Sequence, residues 1–172
     1  HLSLTIIVKG QQSEVIMDSH DKEVIDLNYL LHLPDSYNEE GKDRWPLILF
    51  LHGIGERGDS LNWVKIHGIP KIVDKNKSFP FITISPQCPL TSDWRNPETQ
   101  VSVIKLLENV LENYKVDKDR VYITGLSMGG FGTWAIIAKR PELFAAAAPI
   151  CGGGNPNDAL VIKNMPIWVF HG

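Results

Sequence analysis

The pentapeptide Gly125-Leu126-Ser127-Met128-Gly129 places a serine between two glycines. A serine hydroxyl is a weak nucleophile. To attack a carbonyl it must project from a tight turn towards a base, with neighbours too small to block it. Such a turn strains the backbone. A helix beginning just after Ser127 would also point free N–H groups and the positive end of its dipole at the reaction centre. Developing oxyanion charge is stabilised there, and the N–H of Met128 is the first candidate donor. The chemistry this pattern suggests is acyl transfer through a covalent intermediate on Ser127. The competing reading is purely structural: Gly125 and Gly129 make a strand-to-helix turn, and Ser127 caps the helix.

The flanking residues supply the required context. Val121, Tyr122, Ile123 and Thr124 favour a strand that ends at Gly125. Phe131, Trp134, Ala135 and Ala138 then recur at helical spacing, and Ile136 and Ile137 widen the apolar stripe before Lys139, Arg140 and the stop at Pro141. The spacing predicts a buried helix whose inward stripe starts at Phe131. Strand, G-x-S-x-G and helix in this order give the motif its meaning.

A second stretch, His52-Gly53-Ile54-Gly55-Glu56-Arg57-Gly58, follows the continuous apolar run Pro46–Leu51. That run reads as a central strand covered on both faces. Gly53, Gly55 and Gly58 form a literal G-x-G-x-x-G, but a dinucleotide site also needs an acidic residue at the end of the next strand. The next strand, Phe81–Ser85, ends in Pro86, Gln87 and Cys88 with no acid. The glycine-rich loop fits better as the source of a second oxyanion donor, the N–H of Ile54, paired with that of Met128. His52, beside a glycine at a strand end, is expected to orient the loop through a backbone hydrogen bond rather than to act as a base. Adjacent Glu56 and Arg57 could pair or bind substrate, with solvation the default expectation for neighbouring loop charges.

The remaining elements supply the scaffold. Leu2–Val8 and Glu23–Leu33 read as antiparallel edge strands separated by a polar segment, followed by a loop from Pro34 to Arg44. Ser60–Asp74 reads as a helix interrupted near Gly68 and Pro70, with Leu61, Val64, Ile69 and Ile72 inward. The loop Ser85–Pro97 lies where ligands bind in open α/β sheets, so its Trp94 either lines a substrate pocket or packs under its own loop. Asn96, Pro97 and Glu98 start a helix in cap order, with Ile104, Leu107, Leu111 and Tyr114 buried. Phe144–Ile150 is a further strand and 155–164 a loop with a short helix. Pro166–Phe170 reads as another buried strand.

Composition narrows the function classes. A net charge of -3 with no long basic run removes a compositional case for nucleic acid or anionic membrane as partner. A small or neutral substrate fits better. No stretch is long and apolar enough to span a bilayer, and no signal-peptide pattern is visible. The chain begins at His1, so localisation stays open. Cys88 and Cys151 are too few for a disulfide framework and read as two buried thiols. The histidines show no metal-ligand spacing, so neither a metal nor an organic cofactor is expected.

Several stretches together carry a family resemblance: LPDSY, PLILFLHGIGERG, HGIPK, ISPQCP, VYITGLSMGGFGTW and PIWVFHG. In this order they resemble the α/β-hydrolase superfamily, and within it the predicted-peptidase and polyhydroxybutyrate-depolymerase-like esterases. These are similar to carbohydrate esterases of the feruloyl and acetyl-xylan type. The resemblance covers essentially all of residues 1–172, read as one domain with a mostly parallel sheet and helices on both faces. It implies a serine carboxylic-ester hydrolase acting on small or polysaccharide-linked esters, within a longer, multidomain protein, and it leans towards an extracellular or periplasmic location. Ser127 matches the nucleophile; Met128 and Ile54 match the oxyanion positions. The family's triad runs Ser, then Asp or Glu, then His. The acid follows the strand matched by PIWVF, and the histidine comes after one more strand. Both are therefore expected beyond Gly172, together with the fold's last strand and helix. His171 matches the structural HG position, and His1, His20, His32 and His67 have no credible acid partner at a known spacing. Two rival functions remain: a serine peptidase of the same fold, and a non-catalytic carbohydrate- or protein-binding domain that lacks the acid and base.

Overall fold

The computed structural model describes residues 9–16 and 25–172. Its frame is a six-stranded sheet made by β1 (Gln12–Val15), β2 (Tyr29–His32), β3 (Trp45–Leu51), β4 (Ile82–Pro86), β5 (Val116–Leu126) and β6 (Ala146–Ile150), in the order β1-β2-β4-β3-β5-β6. β1, β2 and β4 pair antiparallel, whereas β4, β3, β5 and β6 run parallel. The continuous apolar run of β3 has the physical cause expected of it. The strand lies between β4 and β5, with Leu47, Leu49, Phe50 and Leu51 buried.

Register decides what the sheet presents at its carboxyl edge. Leu47 pairs with Val121 and Leu51 with Gly125, so β3 and β5 finish side by side and hand the chain to His52 and Leu126 at the same level. Both glycine-rich stretches thus leave the sheet together. Buried Val121 and Ile123 join one core with Leu47 and Leu49 of β3, Val103 and Leu107 of α2 (Pro97–Asn113), and Ile136 and Ile137 of α3 (Met128–Lys139). Asn96 caps α2, its side chain accepting from the N–H groups of Glu98 and Thr99 with Pro97 in the first turn.

Several expectations are corrected. Gln12–Val15 is a strand inside the segment read as a polar spacer, because its alternate residues Ser13 and Val15 face inward. Leu2–Val8 and the first two residues of Glu23–Leu33 lie outside the described residues, and of residues 25–33 only Tyr29–His32 is strand. The expected helix over Ser60–Asp74 divides into a 3-10 turn at Val64–Ile66 and α1 (Gly68–Lys75). Gly68, at φ 61°, breaks the helical phase, so Pro70 and Val73 are buried while Ile72 is exposed. In α3 the inward face is Gly129, Gly132, Thr133, Ile136 and Ile137, not the Phe131 stripe. The helix is apolar on nearly every side, so periodicity could not choose its face. The glycines chose it, by letting backbone meet backbone. Pro166–Phe170 is no buried strand. It touches β6 through bridges at Ile167 and Phe170, and Trp168, Val169 and Phe170 are exposed. After β6 the chain forms the short helix α4 (Ala159–Ile162).

Candidate active site

Ser127 stands between the end of β5 and the start of α3 with φ 55° and ψ -112°, a conformation unusual for any residue but glycine. Its N–H donates to the carbonyl of Ile150 at 2.8 Å, tying the turn to the end of β6. Its side chain makes no capping hydrogen bond. The structural reading of Ser127 as a helix cap therefore fails on geometry: the strained serine is exposed and its hydroxyl is left over.

The glycines around it are steric requirements. A Cβ on Gly125 would overlap the Gly129 carbonyl, and one on Gly129 would overlap the carbonyl of Leu51 and lie 2.8 Å from that of His52. Gly130 and Gly152 press backbone against backbone where β6 ends. The first turn of α3 is thereby driven onto the ends of β3, β5 and β6. Met128, as the first helical residue, carries an N–H without an intrahelical acceptor.

The second loop meets the first from the β3 side. Gly53 approaches the carbonyl of Leu126, to which a Cβ at Gly53 would lie 3.6 Å away. Residues Ile54–Glu56 form a single 3-10 turn. His52 is buried, and its roles are set by its partners. The N–H of Cys88 donates to Nε2 at 2.9 Å, so Nε2 is unprotonated and Nδ1–H donates to the carbonyl of Gly53 at 2.6 Å. Burial pushes its pKa below the ordinary value of 6.5 and keeps it neutral. His52 is a loop-orienting residue, as its position suggested. A peptide unit is planar and trans, so holding the Gly53 oxygen on the His52 side aims the Ile54 N–H the opposite way.

Trp94 is resolved in favour of packing. It is 1% exposed, lies against Gly132, and donates its indole N–H to the carbonyl of His52 at 2.9 Å. The possible substrate-binding role is corrected accordingly, because an apolar body with a satisfied polar tip leaves nothing to face a ligand. Glu56 overturns the expectation of solvation. It is buried, and His67 Nδ1–H donates to its Oε1 at 2.5 Å. Arg57 reaches the carbonyls of Ile54, Leu90 and Ser92. Sequence reading missed the Glu56–His67 pair because eleven positions separate the partners and no periodicity links them. It also missed Gln87, whose amide donates to the carbonyls of Glu56 and Ser60.

Cys88 is buried, with its thiol pKa pushed up to about 12 by desolvation. Cys151 is exposed, at φ 53° in the turn after β6, contrary to the expectation of two buried thiols. Among the described residues no group of three or more His, Cys, Asp or Glu could hold a metal ion, and no histidine is hydrogen-bonded to Ser127. Nor, among them, is any helix long and apolar enough to cross a membrane.

A parallel sheet that delivers an exposed, positive-φ serine to the N-terminus of a buried helix defines the α/β-hydrolase fold, and this chain has that fold. A solved thermostable esterase superposes with a TM-score of 0.74 at 38% identity, over 92% of this chain and 46% of that one. Feruloyl esterase B of Thermothelomyces thermophilus is 30% identical over 118 residues, 62% of this chain and 39% of that enzyme. Poly(3-hydroxyalkanoate) depolymerase C of Paucimonas lemoignei is 45% identical over 53 residues, 31% of this chain and 13% of that protein. The chain thus spans less than half the length of each of these relatives. Residues 96–155 match the model of the prolyl oligopeptidase family.

Proposed function

We propose that this chain carries the nucleophile and oxyanion donors of a serine carboxylic-ester hydrolase. The observation that carries the reading is Ser127 itself, strained, exposed and not used as a cap, at the N-terminus of α3. In the proposed reaction Ser127 Oγ attacks the ester carbonyl and gives up its proton to a histidine base. The tetrahedral oxyanion accepts hydrogen bonds from the Met128 and Ile54 N–H groups. Collapse breaks the ester C–O bond, the alcohol leaves with the proton, and water then hydrolyses the acyl-Ser127 ester. The base and its orienting acid are those the resemblance puts beyond Gly172.

The substrate class proposed is feruloyl or acetyl esters of plant polysaccharides, or other small esters. Similarity to a feruloyl esterase and to an enzyme named for a polyester substrate supports it. A serine peptidase of the same fold is the second reading, favoured by the prolyl oligopeptidase match, since amides and esters pass through the same intermediates.

The test is hydrolysis of p-nitrophenyl acetate, methyl ferulate and a chromogenic peptide by the full-length protein and its Ser127→Ala variant. The reading expects ester turnover to exceed peptide turnover and kcat to fall about a thousandfold or more in the variant. Full activity without the serine hydroxyl would sink it.

A further inference from the structure

We infer that Glu56 and His67 are a positioning pair for the oxyanion loop, holding the turn that carries the Ile54 N–H in the geometry the transition state needs. This rests on the ester-hydrolase reading above.

A carboxylate is seldom buried without a strong reason, because removing the charge from water is costly. Glu56 is 6% exposed, and only one of its oxygens is satisfied within the described residues. Oε1 accepts from His67 Nδ1–H at 2.5 Å, whereas Oε2 is buried and unpartnered, 3.9 Å from His52 Nδ1. That oxygen also lies over Gly53, where an added Cβ would come within 3.0 Å of it. The carboxylate therefore sits against the residue whose carbonyl belongs to the Gly53–Ile54 peptide. A side chain placed only for stability has no need to approach that peptide.

Packing does little to hold the turn: Ile54 is 61% exposed, so its side chain cannot fix its backbone. Polar ties replace packing: Arg57 ties the Ile54 carbonyl to those of Leu90 and Ser92, and three further ties come from other directions. His52, at the end of β3, holds the Gly53 carbonyl. Gln87, after β4, holds the Glu56 carbonyl at 2.9 Å. The Glu56 carboxylate reaches His67 at the start of α1, whose next residue, Gly68, is pressed on the Phe50 ring of the central strand. The first two ties grip the main chain of the turn. The third braces it through a side chain against a helix end whose Gly68 packs on Phe50 of β3. Loosening this brace would let the Ile54 N–H drift, and a donor displaced by about 1 Å loses much of its effect on a developing oxyanion.

The pair touches no substrate, so its signature is kinetic. In the full-length protein with methyl ferulate, Glu56→Ala and His67→Ala are expected to lower kcat about tenfold or more while KM stays within about twofold. Affinity for an arylboronic acid, which forms a tetrahedral adduct on the serine, should fall by the same factor as kcat. Glu56→Gln keeps an acceptor for His67, and His67→Asn puts an amide N–H where Nδ1–H stood. Both should recover most of the lost kcat.

Unchanged kcat in folded alanine variants would overturn the inference. So would a loss confined to KM with boronate affinity intact, or conservative variants no better than alanine. If Glu56→Ala does not fold, His67→Ala against His67→Asn decides by the same readouts. Ser127→Ala, run alongside, separates the two levels. Activity retained there removes the ester-hydrolase reading and this inference with it, whereas activity lost there and kept in the Glu56 and His67 variants overturns the positioning pair alone.

Discussion

The serine turn and the Ile54 loop, the proposed oxyanion loop, leave the same sheet edge side by side, yet they are built on opposite principles. Around Ser127 the geometry is enforced by backbone in contact with backbone: Gly125 on Gly129, Gly129 on Leu51, Gly130 on Gly152. Around Ile54 it is enforced by side chains reaching across, namely His52, Glu56, Arg57, Gln87 and Trp94. The first design admits no added atom, and the second admits graded change. Close packing makes the position of Ser127, the proposed nucleophile, all-or-none, whereas polar ties make the position of the Ile54 N–H, the proposed oxyanion donor, adjustable.

This contrast is open to attack at both ends. Gly129→Ala should be the most damaging change, costing about 3 kcal/mol or more because the new methyl must displace the Leu51 carbonyl of the central strand. Urea unfolding of the variant measures it, and a loss under about 1 kcal/mol would show that the turn can yield after all. His52→Ala should cost about 2 kcal/mol, since the Cys88 N–H and Gly53 carbonyl lose their partner inside the protein. Here kcat should fall as well, in contrast to a variant that only unfolds more readily. Trp94→Phe removes one N–H donor and keeps the ring in place, so about 1 kcal/mol is expected with KM for methyl ferulate unchanged. A changed KM would restore Trp94 to the substrate pocket. Gly55→Ala should lie within about 0.5 kcal/mol of the parent, because nothing stands within 4 Å of its Cβ position and its φ is ordinary.

Acid sharpens the comparison further, because the buried imidazole sits in the side-chain-held loop. Burial lowers the pKa of His52, and of His32 in β2, below 6.5. The unfolded chain therefore binds protons that the folded chain refuses. Their contribution is fully present above pH 6.5 and is lost as pH falls from there through the folded pKa. Unfolding free energies measured from pH 7.5 down to pH 5.5 should decline, and His52→Asn should decline less steeply than the parent. Equal slopes would mean that His52 is not held neutral.

The same contrast explains what could be read in advance. The strand-to-helix turn was legible because its constraints are local: five consecutive positions name both the serine, the proposed nucleophile, and the glycines that make room for it. The loop was legible only in part. The loop-orienting role of His52 follows from its place after an apolar strand, but the burial of Glu56 depends on His67 and Gln87, which folding alone brings near. The face of α3 was not legible for a related reason, since a helix apolar on nearly all sides carries no phase and Gly132, which marks its interface, gives no apolar signal.

Covalent labelling tests the central claim most directly. The full-length protein, treated with diisopropyl fluorophosphate and digested, should yield one modified peptide, the one containing Ser127, with ester hydrolysis lost in proportion to labelling. Ser127→Ala should take up no label. Label on any other residue, or none in a protein that still turns over methyl ferulate, would contradict the assignment of Ser127 as the nucleophile.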